Sequence, residues 1–236
     1  MKRNIVFLLG FAAVLAFFLS ISHSYARKKD FWSDSSYDTF TPEAFKDYGP
    51  ANHFLDFKKI DYPLLNAAIF FEISRVRVAH GKSPVLHSKA LEKAAISHSR
   101  NMVEKAFFGH TNPYDSNRRT PLQRMEAFGV MGKITAENIA LAFGIRYKGG
   151  SPVIPPTRKD EPFRDFRTGE VIRHHTYNSL AEAVVDEWMQ SAGHRANILD
   201  ERLKSAGTGL SHFEDRKFYY MHTFKVTLDM SSDVPK

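Results

Sequence analysis

The chain has 236 residues, no cysteine, 43% hydrophobic residues and 25% charged residues. This composition is typical of one globular domain with additional segments, and it excludes collagen-like, wholly disordered and disulfide-stabilised chains. The formal net charge is +7, from 33 basic and 26 acidic residues. Because the basic clusters are short and lack interleaved aromatic residues, the charge predicts no nucleic-acid partner.

The first 26 residues resemble a secretory signal. Lys2 and Arg3 precede the uncharged, mostly apolar residues 5–21, and Ser24-Tyr25-Ala26 offers small residues where a signal peptidase cuts. We therefore expect a signal peptide over 1–26 and a secreted protein, extracellular or periplasmic. Residues 5–21 approach the length needed to cross a bilayer, so an uncleaved N-terminal anchor is the alternative and the only membrane contact that the sequence predicts.

Composition divides the rest of the chain. Residues 27–60 form an aromatic-rich N-terminal extension, whose aromatic content predicts that it packs on the domain. The domain itself is expected over 61–229, followed by a C-terminal tail over 230–236. Residues 146–177 contain many prolines and glycines without a period, so they are expected to be a mobile inserted loop that buries little.

Apolar periodicity predicts helices first and strands later. The first helix is expected over 64–79, and the second begins after Ser88 as N-cap. Thr120-Pro121 with Gln123 forms a capping box for the third, and Ser179 with Glu182 is expected to start the fourth. Alternating residues predict strands over 137–143, 206–213 and 218–228. Helices on both faces of a late antiparallel sheet make an α+β domain.

Three blocks of the sequence carry a family resemblance. They are Phe-Phe-Gly-His-Thr-Asn-Pro at 107–113, Ala-Glu-Asn-Ile-Ala at 136–140, and the block from Trp-Met-Gln-Ser to Asn-Ile-Leu at 188–199. In these blocks the chain resembles the CAP superfamily (cysteine-rich secretory proteins, antigen 5, pathogenesis-related proteins), bacterial SCP-like branch. The resemblance implies a three-layer α-β-α sandwich with an antiparallel central sheet. It also implies a cleft with two histidines and two glutamates that binds a divalent ion in some members.

Residue by residue, the resemblance places three of these four positions. The histidines match His110 and His194, and the first glutamate matches Glu137. In many animal and plant members the second glutamate stands three residues after the tryptophan, where this chain has Ser191. The site is therefore expected to lack one negative charge. Ser191 and Asn138 remain candidates for lining the cleft.

Two interpretations of this cleft stay open. Two imidazoles and one carboxylate could coordinate a zinc ion together with one water, or Glu137 could orient a histidine without contacting the metal itself. We accordingly expect either weak, pH-dependent binding of zinc or another divalent ion by His110 and His194, or a polar cleft without metal. No other cofactor is predicted.

The remaining polar residues have structural interpretations. Asn138, Arg195 and Asn197 are expected to fasten loops through backbone hydrogen bonds, while Trp188 and His98 belong to the core. The pair His174-His175 falls in the predicted insertion, where a solvated loop is expected, and His222 falls on a strand with a role at the cleft edge left open.

No catalytic motif accompanies the cleft. The chain has no G-x-S-x-G elbow, no H-E-x-x-H pair and no Walker loop, and only Ser99, Thr111 and Ser191 are candidate nucleophiles near the histidines. We therefore expect a non-enzymatic extracellular module that binds a small ligand, a lipid, a glycan, a divalent metal or a protein partner. A secreted hydrolase and a cell-surface adhesion module are the alternatives.

Overall fold

The computed structural model describes residues 32–147, 149–159 and 161–235. The predicted signal peptide over 1–26, its alternative as an anchor and the first residues of the extension lie outside these ranges. From Ser33 onward the chain belongs to one unit. Within the described ranges no helix is long and apolar enough to cross a membrane.

Helices lie mainly in the first two thirds of this unit. Short 3₁₀ turns cover Asp34–Asp38, Gly49–Asn52, Ser116–Arg118 and Arg216–Phe218. The α-helices are α1 (Pro42–Lys46), α2 (Tyr62–Ala79), α3 (Lys89–Glu104), α4 (Pro121–Ala127), α5 (Tyr177–Gln190) and α6 (Ala192–Leu199). The caps predicted at Ser88 and Thr120 are confirmed, because each side chain accepts a backbone N–H of the first turn.

The predicted start of α5 was wrong, and the helix that follows α5 was not predicted. The helix α5 begins at Tyr177 rather than at Ser179, because Thr176 is the N-cap and Ser179 completes the capping box from position N3. After Ser191 the chain enters the separate helix α6, which the sequence analysis did not predict.

The sheet has the strands β1 (Leu86–His87), β2 (Thr135–Phe143), β5 (Ser205–Asp215) and β6 (Met221–Ser231) in the order β1-β5-β6-β2. The β5–β6 and β6–β2 pairings are antiparallel, as predicted. The short strand β1 pairs parallel with β5, so the sheet is mixed rather than wholly antiparallel. β6 extends to Ser231, beyond the predicted domain end at 229.

Helices cover both faces of the sheet and give the predicted α+β sandwich. Helices α3 and α4 pack on one face, and α2, α5 and α6 pack on the other. The close approach of α3 requires glycine on β5, because a Cβ at Gly207 would lie 2.0 Å from the backbone N of Glu92, and one at Gly209 would lie 2.2 Å from that of Ile96. This contact seats α3 directly on the sheet.

The extension and the insertion both contribute buried side chains. In the extension, Phe45 is 1% exposed and stacks on Phe71 of α2. The insertion contains the small strands β3 (Val153–Ile154) and β4 (Arg164–Asp165), and its Phe163 packs in a cluster with Ile145 and Met221. The expectation that the insertion buries little is therefore wrong, since long-range packing gives it a core that its sequence period does not show.

Candidate functional site

The edge strand β2 positions the residues that the family resemblance selected. Glu137 and Asn138 are consecutive, so their side chains point to opposite faces of the sheet. Glu137 lies on the face covered by α3 and α4, whereas Asn138 lies toward α6. The site therefore straddles the β2 edge of the sheet.

On the first face, Glu137 is held by two partners. Nδ1 of His110 lies 2.7 Å from Oε1 of Glu137, and the guanidinium of Arg124 donates to Oε2. Arg124 also donates to the backbone oxygens of His110 at 3.0 Å and Arg119 at 3.1 Å. The side chains of Arg124 and Glu137 are each 1% exposed, whereas that of His110 is 49% exposed. The result is a buried ion pair that orients one half-exposed imidazole.

The two histidines of the site titrate differently. The hydrogen bond with Glu137 raises the pKa of His110 above its usual value, against the opposing effects of burial and of Arg124. Burial lowers the pKa of His194, and the charge of His110 lowers it further. His110 is thus the ring that gains a proton first as the pH falls.

On the other face, side chains bond the outer edge of β2. Asn138 donates to the backbone oxygen of His194 at 3.1 Å, and Asn197 donates to the side-chain oxygen of Asn138 at 2.8 Å. The indole of Trp188, which is fully buried, donates to the backbone oxygen of Ile139 at 3.0 Å. These bonds occupy backbone and side-chain groups of an edge strand and fix α6, with His194 on its first turns.

Arg195 and Ser191 also belong to this region, but they do not join the His110–Glu137 pair. Arg195 donates to the backbone oxygen of Met189 at 2.9 Å, which is a loop-fastening role of the kind predicted. Ser191 links α5 to α6, and its side chain makes no capping hydrogen bond. In the described ranges no hydrogen bond joins Ser191 to a site histidine.

Sequence reasoning missed Arg124 and Asp229. Arg124 reads as a surface cation of a short helix, and Asp229 reads as a solvent-facing residue of an alternating strand. Both are buried, Arg124 at 1% and Asp229 at 0% exposure. The feature that would have pointed to Asp229 is the register of β2 and β6, which sets Asp229 directly opposite Glu137. That register is visible only in the tertiary structure.

The other histidines do not join the His110–Glu137 pair. His98 is fully buried, as predicted, and one ring nitrogen contacts the backbone oxygen of Gly109. His175 is 8% exposed, so the expectation of a solvated loop is wrong there. His222 does not line the site formed by His110, Glu137 and Arg124, called the His110 site below. Its Nδ1 lies 3.0 Å from Nε2 of His212, at the far end of the β5–β6 hairpin.

The residues of the site do not fit a metal ion held by three protein ligands. Each oxygen of Glu137 already has a protein partner, His110 or Arg124, which leaves two imidazoles as donors. Within the described ranges no group of three or more His, Asp or Glu side chains is arranged to hold a metal ion. Weak binding of a divalent ion by His110 and His194 stays a prediction.

Comparisons with known proteins identify the family. Residues 70–225 match the Cysteine-rich secretory protein family, CAP. This match covers more than half of the chain, which therefore belongs to the CAP family.

One curated relative and several solved structures are similar to the chain. The uncharacterized protein YkwD of Bacillus subtilis (strain 168) is 29% identical over 134 residues, which are 56% of this chain and 37% of that protein. An extracellular protein containing a SCP domain from Bacillus anthracis is 19% identical, with a TM-score of 0.48 over 76% of this chain and 44% of its own. An outer surface protein from Borrelia burgdorferi is 16% identical, with a TM-score of 0.45 over 76% of this chain and 98% of its own.

Proposed function

We propose that this chain is an exported CAP-domain protein that binds a small amphiphilic ligand at the His110 site through an anionic group, without converting it. The basic start, the apolar run over 5–21 and the Ser24-Tyr25-Ala26 end support export. The observation that supports the binding role is that Glu137 is buried against Arg124 and His110, so the half-exposed imidazole is the group offered to solvent.

Charge favours an anionic group on the ligand. The carboxylate of Glu137 is neutralised by Arg124, so a proton gained by His110 adds an uncompensated positive charge at the surface. The raised pKa of His110 makes this charge available closer to neutral pH than for a free histidine. Phosphates and carboxylates accept charge-assisted hydrogen bonds from such a ring.

Two exposed aromatic residues close to His110 in the sequence favour an apolar portion of the ligand. Phe108 is 51% exposed and Tyr114 is 62% exposed, and both flank His110 in the segment after α3. Aromatic side chains exposed beside a polar group offer contact area to acyl chains and sugar rings. A lipid with an acidic head group, or an acidic glycan, has the chemistry that this surface accepts.

Binding can be tested with octyl phosphate and octanol as matched probes. Isothermal titration of residues 27–236 should give saturable binding of octyl phosphate and a much smaller signal with octanol. His110→Ala should weaken octyl phosphate binding about tenfold, the loss expected for one charge-assisted hydrogen bond of about 1.5 kcal/mol. The exposed His53→Ala is the control and should bind normally. Unchanged binding in His110→Ala would refute the proposal.

A hydrolase is the second candidate, because one observation favours it. The contact of His110 with Glu137 has the geometry of a base held by an orienting carboxylate. Among the described residues no candidate nucleophile is hydrogen-bonded to the ring, and Ser99 donates instead to the backbone oxygen of Gly209 at 2.8 Å. Turnover of nitrophenyl esters that is lost in His110→Ala and retained in His53→Ala would establish this activity in place of simple binding.

A further inference from the structure

Asp229 is a buried acid that the His110 site leaves unexplained. Its exposure is 0%, and no N–H or O–H group of the described residues donates a hydrogen bond to either carboxylate oxygen. An ionised carboxylate in such surroundings is strongly disfavoured, because it loses its hydration without gaining a donor. A buried acid without donors is more stable in its neutral form.

Asp229 lies against Glu137. The two residues are paired in the antiparallel register of β6 and β2, so their side chains share the face under α3 and α4. On that face the carboxyl group of Glu137 is the cross-strand neighbour of the carboxyl group of Asp229. Two ionised carboxylates have no proton to share, so this contact is a hydrogen bond only if one of the two groups is protonated.

The other partners of Glu137 decide which group holds the proton. One oxygen of Glu137 faces Nδ1 of His110, and the other receives the guanidinium of Arg124. These two partners satisfy both oxygens of Glu137 without a proton of its own. Asp229 has no comparable donor, which leaves the proton on Asp229.

The charged and titratable groups around Asp229 agree with this assignment. Burial and the negative charge of Glu137 raise the pKa of Asp229 well above its usual value, and the positive charge of Arg124 on α4 opposes them. His98 on α3 is electrostatically linked to Glu137 and Arg124, and burial lowers its pKa to about 4, so it adds no cation to the cluster at neutral pH. On the other side of β6, strand β5 places Gly207, which has no side chain, opposite Asp229.

We propose that Asp229 is a neutral carboxylic acid in the folded protein and donates a hydrogen bond to Glu137, which makes it a positioning residue for the Glu137–His110 pair. It thereby supplies from β6 a second carboxyl group next to the site, although position 191 carries serine. Because Asp229 stays neutral, Arg124 and Glu137 cancel each other and a protonated His110 keeps its net positive charge. Only this consequence for an anionic ligand rests on the function proposed above.

Infrared spectroscopy can observe the proton directly. At pH 7 the wild-type chain should show the carbonyl stretching band of a protonated carboxylic acid, at a frequency distinct from ionised carboxylates. The difference spectrum against Asp229→Asn should contain that band, whereas the difference against Asp47→Asn, an exposed acid, should not. A wild-type spectrum at pH 7 without an Asp229-dependent band would overturn the proposal.

The pKa of His110, measured by NMR, tests the positioning role. Asp229→Asn keeps a neutral donor to Glu137 and should leave that pKa within about 0.3 units. Asp229→Leu removes the donor, makes Glu137 a stronger acceptor and should raise the pKa of His110 by about half a unit. A fall of about one unit in Asp229→Asn would show that Asp229 carries a negative charge, against the proposal.

These readouts separate the two proposals. If Asp229→Leu fails to fold, the infrared band and the Asp229→Asn titration still decide the state of Asp229. An Asp229-dependent acid band together with no binding of octyl phosphate would support the neutral acid and reject the proposed function. Octyl phosphate binding without the Asp229-dependent band would support the proposed function and reject the neutral acid.

Discussion

Two pairs of side chains that contain histidine lie at or beside the same sheet, and their surroundings shift the histidine pKa values in opposite directions. At the β2 edge, His110 contacts the carboxylate of Glu137, and its pKa is raised. At the far end of the β5–β6 hairpin, His212 and His222 contact each other, with Phe57 stacked on His222 at a centroid distance of 3.8 Å. Burial lowers the pKa of both, that of His222 to about 4.

The difference shows that the surroundings, and not the residue type, decide the charge of a histidine here. An imidazole that contacts a buried carboxylate is stabilised as a cation, whereas one that is buried without a carboxylate partner is stabilised as a neutral ring. The first arrangement presents charge to solvent. The second fastens three segments together, because Phe57 comes from the extension and also contacts His174 at the end of the insertion.

The two groups also have opposite effects on stability as pH changes. Since the folded pKa of His110 lies above the unfolded value of about 6.5, its stabilisation is complete below that pH and is lost as pH rises through the folded pKa. The folded pKa of His222 lies below the unfolded value, so its contribution is present above about pH 6.5 and is lost as pH falls toward 4.

Removing the guanidinium of Arg124 should have the largest effect of the four changes, on the free energy of unfolding. Arg124→Met leaves Glu137 buried without its guanidinium partner, and loss of one member of such a pair costs about 3–5 kcal/mol. We expect the free energy of unfolding, measured in urea, to fall by that amount. Arg119→Met removes an exposed cation from the preceding turn and should change it by less than about 0.5 kcal/mol. A similar small loss in Arg124→Met would show that the pair contributes little.

Neutralising the carboxylate of Glu137 should lower the pKa of His110 and so bring it closer to the lowered pKa values of His212 and His222. Glu137→Gln removes the negative charge that stabilises protonated His110, so the pKa of His110 should fall by about one unit. NMR titration of the His110 ring measures this change, with Glu126→Gln on the exposed side of α4 as the control. A His110 pKa that stays raised in Glu137→Gln would mean that another group holds the proton.

Replacing His222 should reduce the loss of stability at acid pH. His222→Phe keeps a flat ring against Phe57 but removes a group that the unfolded chain protonates before the folded one does. Near pH 5 the number of protons taken up on unfolding should fall by about one. The free energy of unfolding between pH 4 and 7 measures this slope. His53→Phe, at an exposed position, should leave the slope unchanged, and an equal slope in both variants would contradict the prediction.

Adding a methyl group at Gly144 should have the smallest effect of the four changes, on the pKa of His222. The added Cβ would lie 2.5 Å from Cζ of Phe57, so Gly144→Ala should push that ring off His222. Solvent would then reach the imidazole, and its pKa should rise from about 4 by about half a unit. NMR titration detects the shift. Gly49→Ala, whose Cβ would meet open space, is the matched control. An unchanged His222 pKa would show that Phe57 does not shield the ring.

The sequence by itself determined the family, the long helices and the antiparallel strands of the sheet. Helix caps at Ser88 and Thr120 and the alternation in β5 and β6 are local signals, which short-range hydrogen bonding and side-chain direction produce directly. The family blocks indicated His110, Glu137 and His194 for the same reason, since each lies inside a short motif. The predicted start of α5 was wrong because the sequence offers two neighbouring capping boxes, Thr176 with Ser179 and Ser179 with Glu182.

Only the tertiary structure decided which charges are buried and what they contact. Arg124 and Asp229 stand in polar positions of a helix and a strand, yet the packing of α3 and α4 on the sheet removes both from solvent. Asp229 meets Glu137 through a strand register that joins residues distant in the chain, and His222 meets Phe57 through an extension without a period. Burial and long-range contacts set the pKa values, and neither is encoded in the spacing of neighbouring residues.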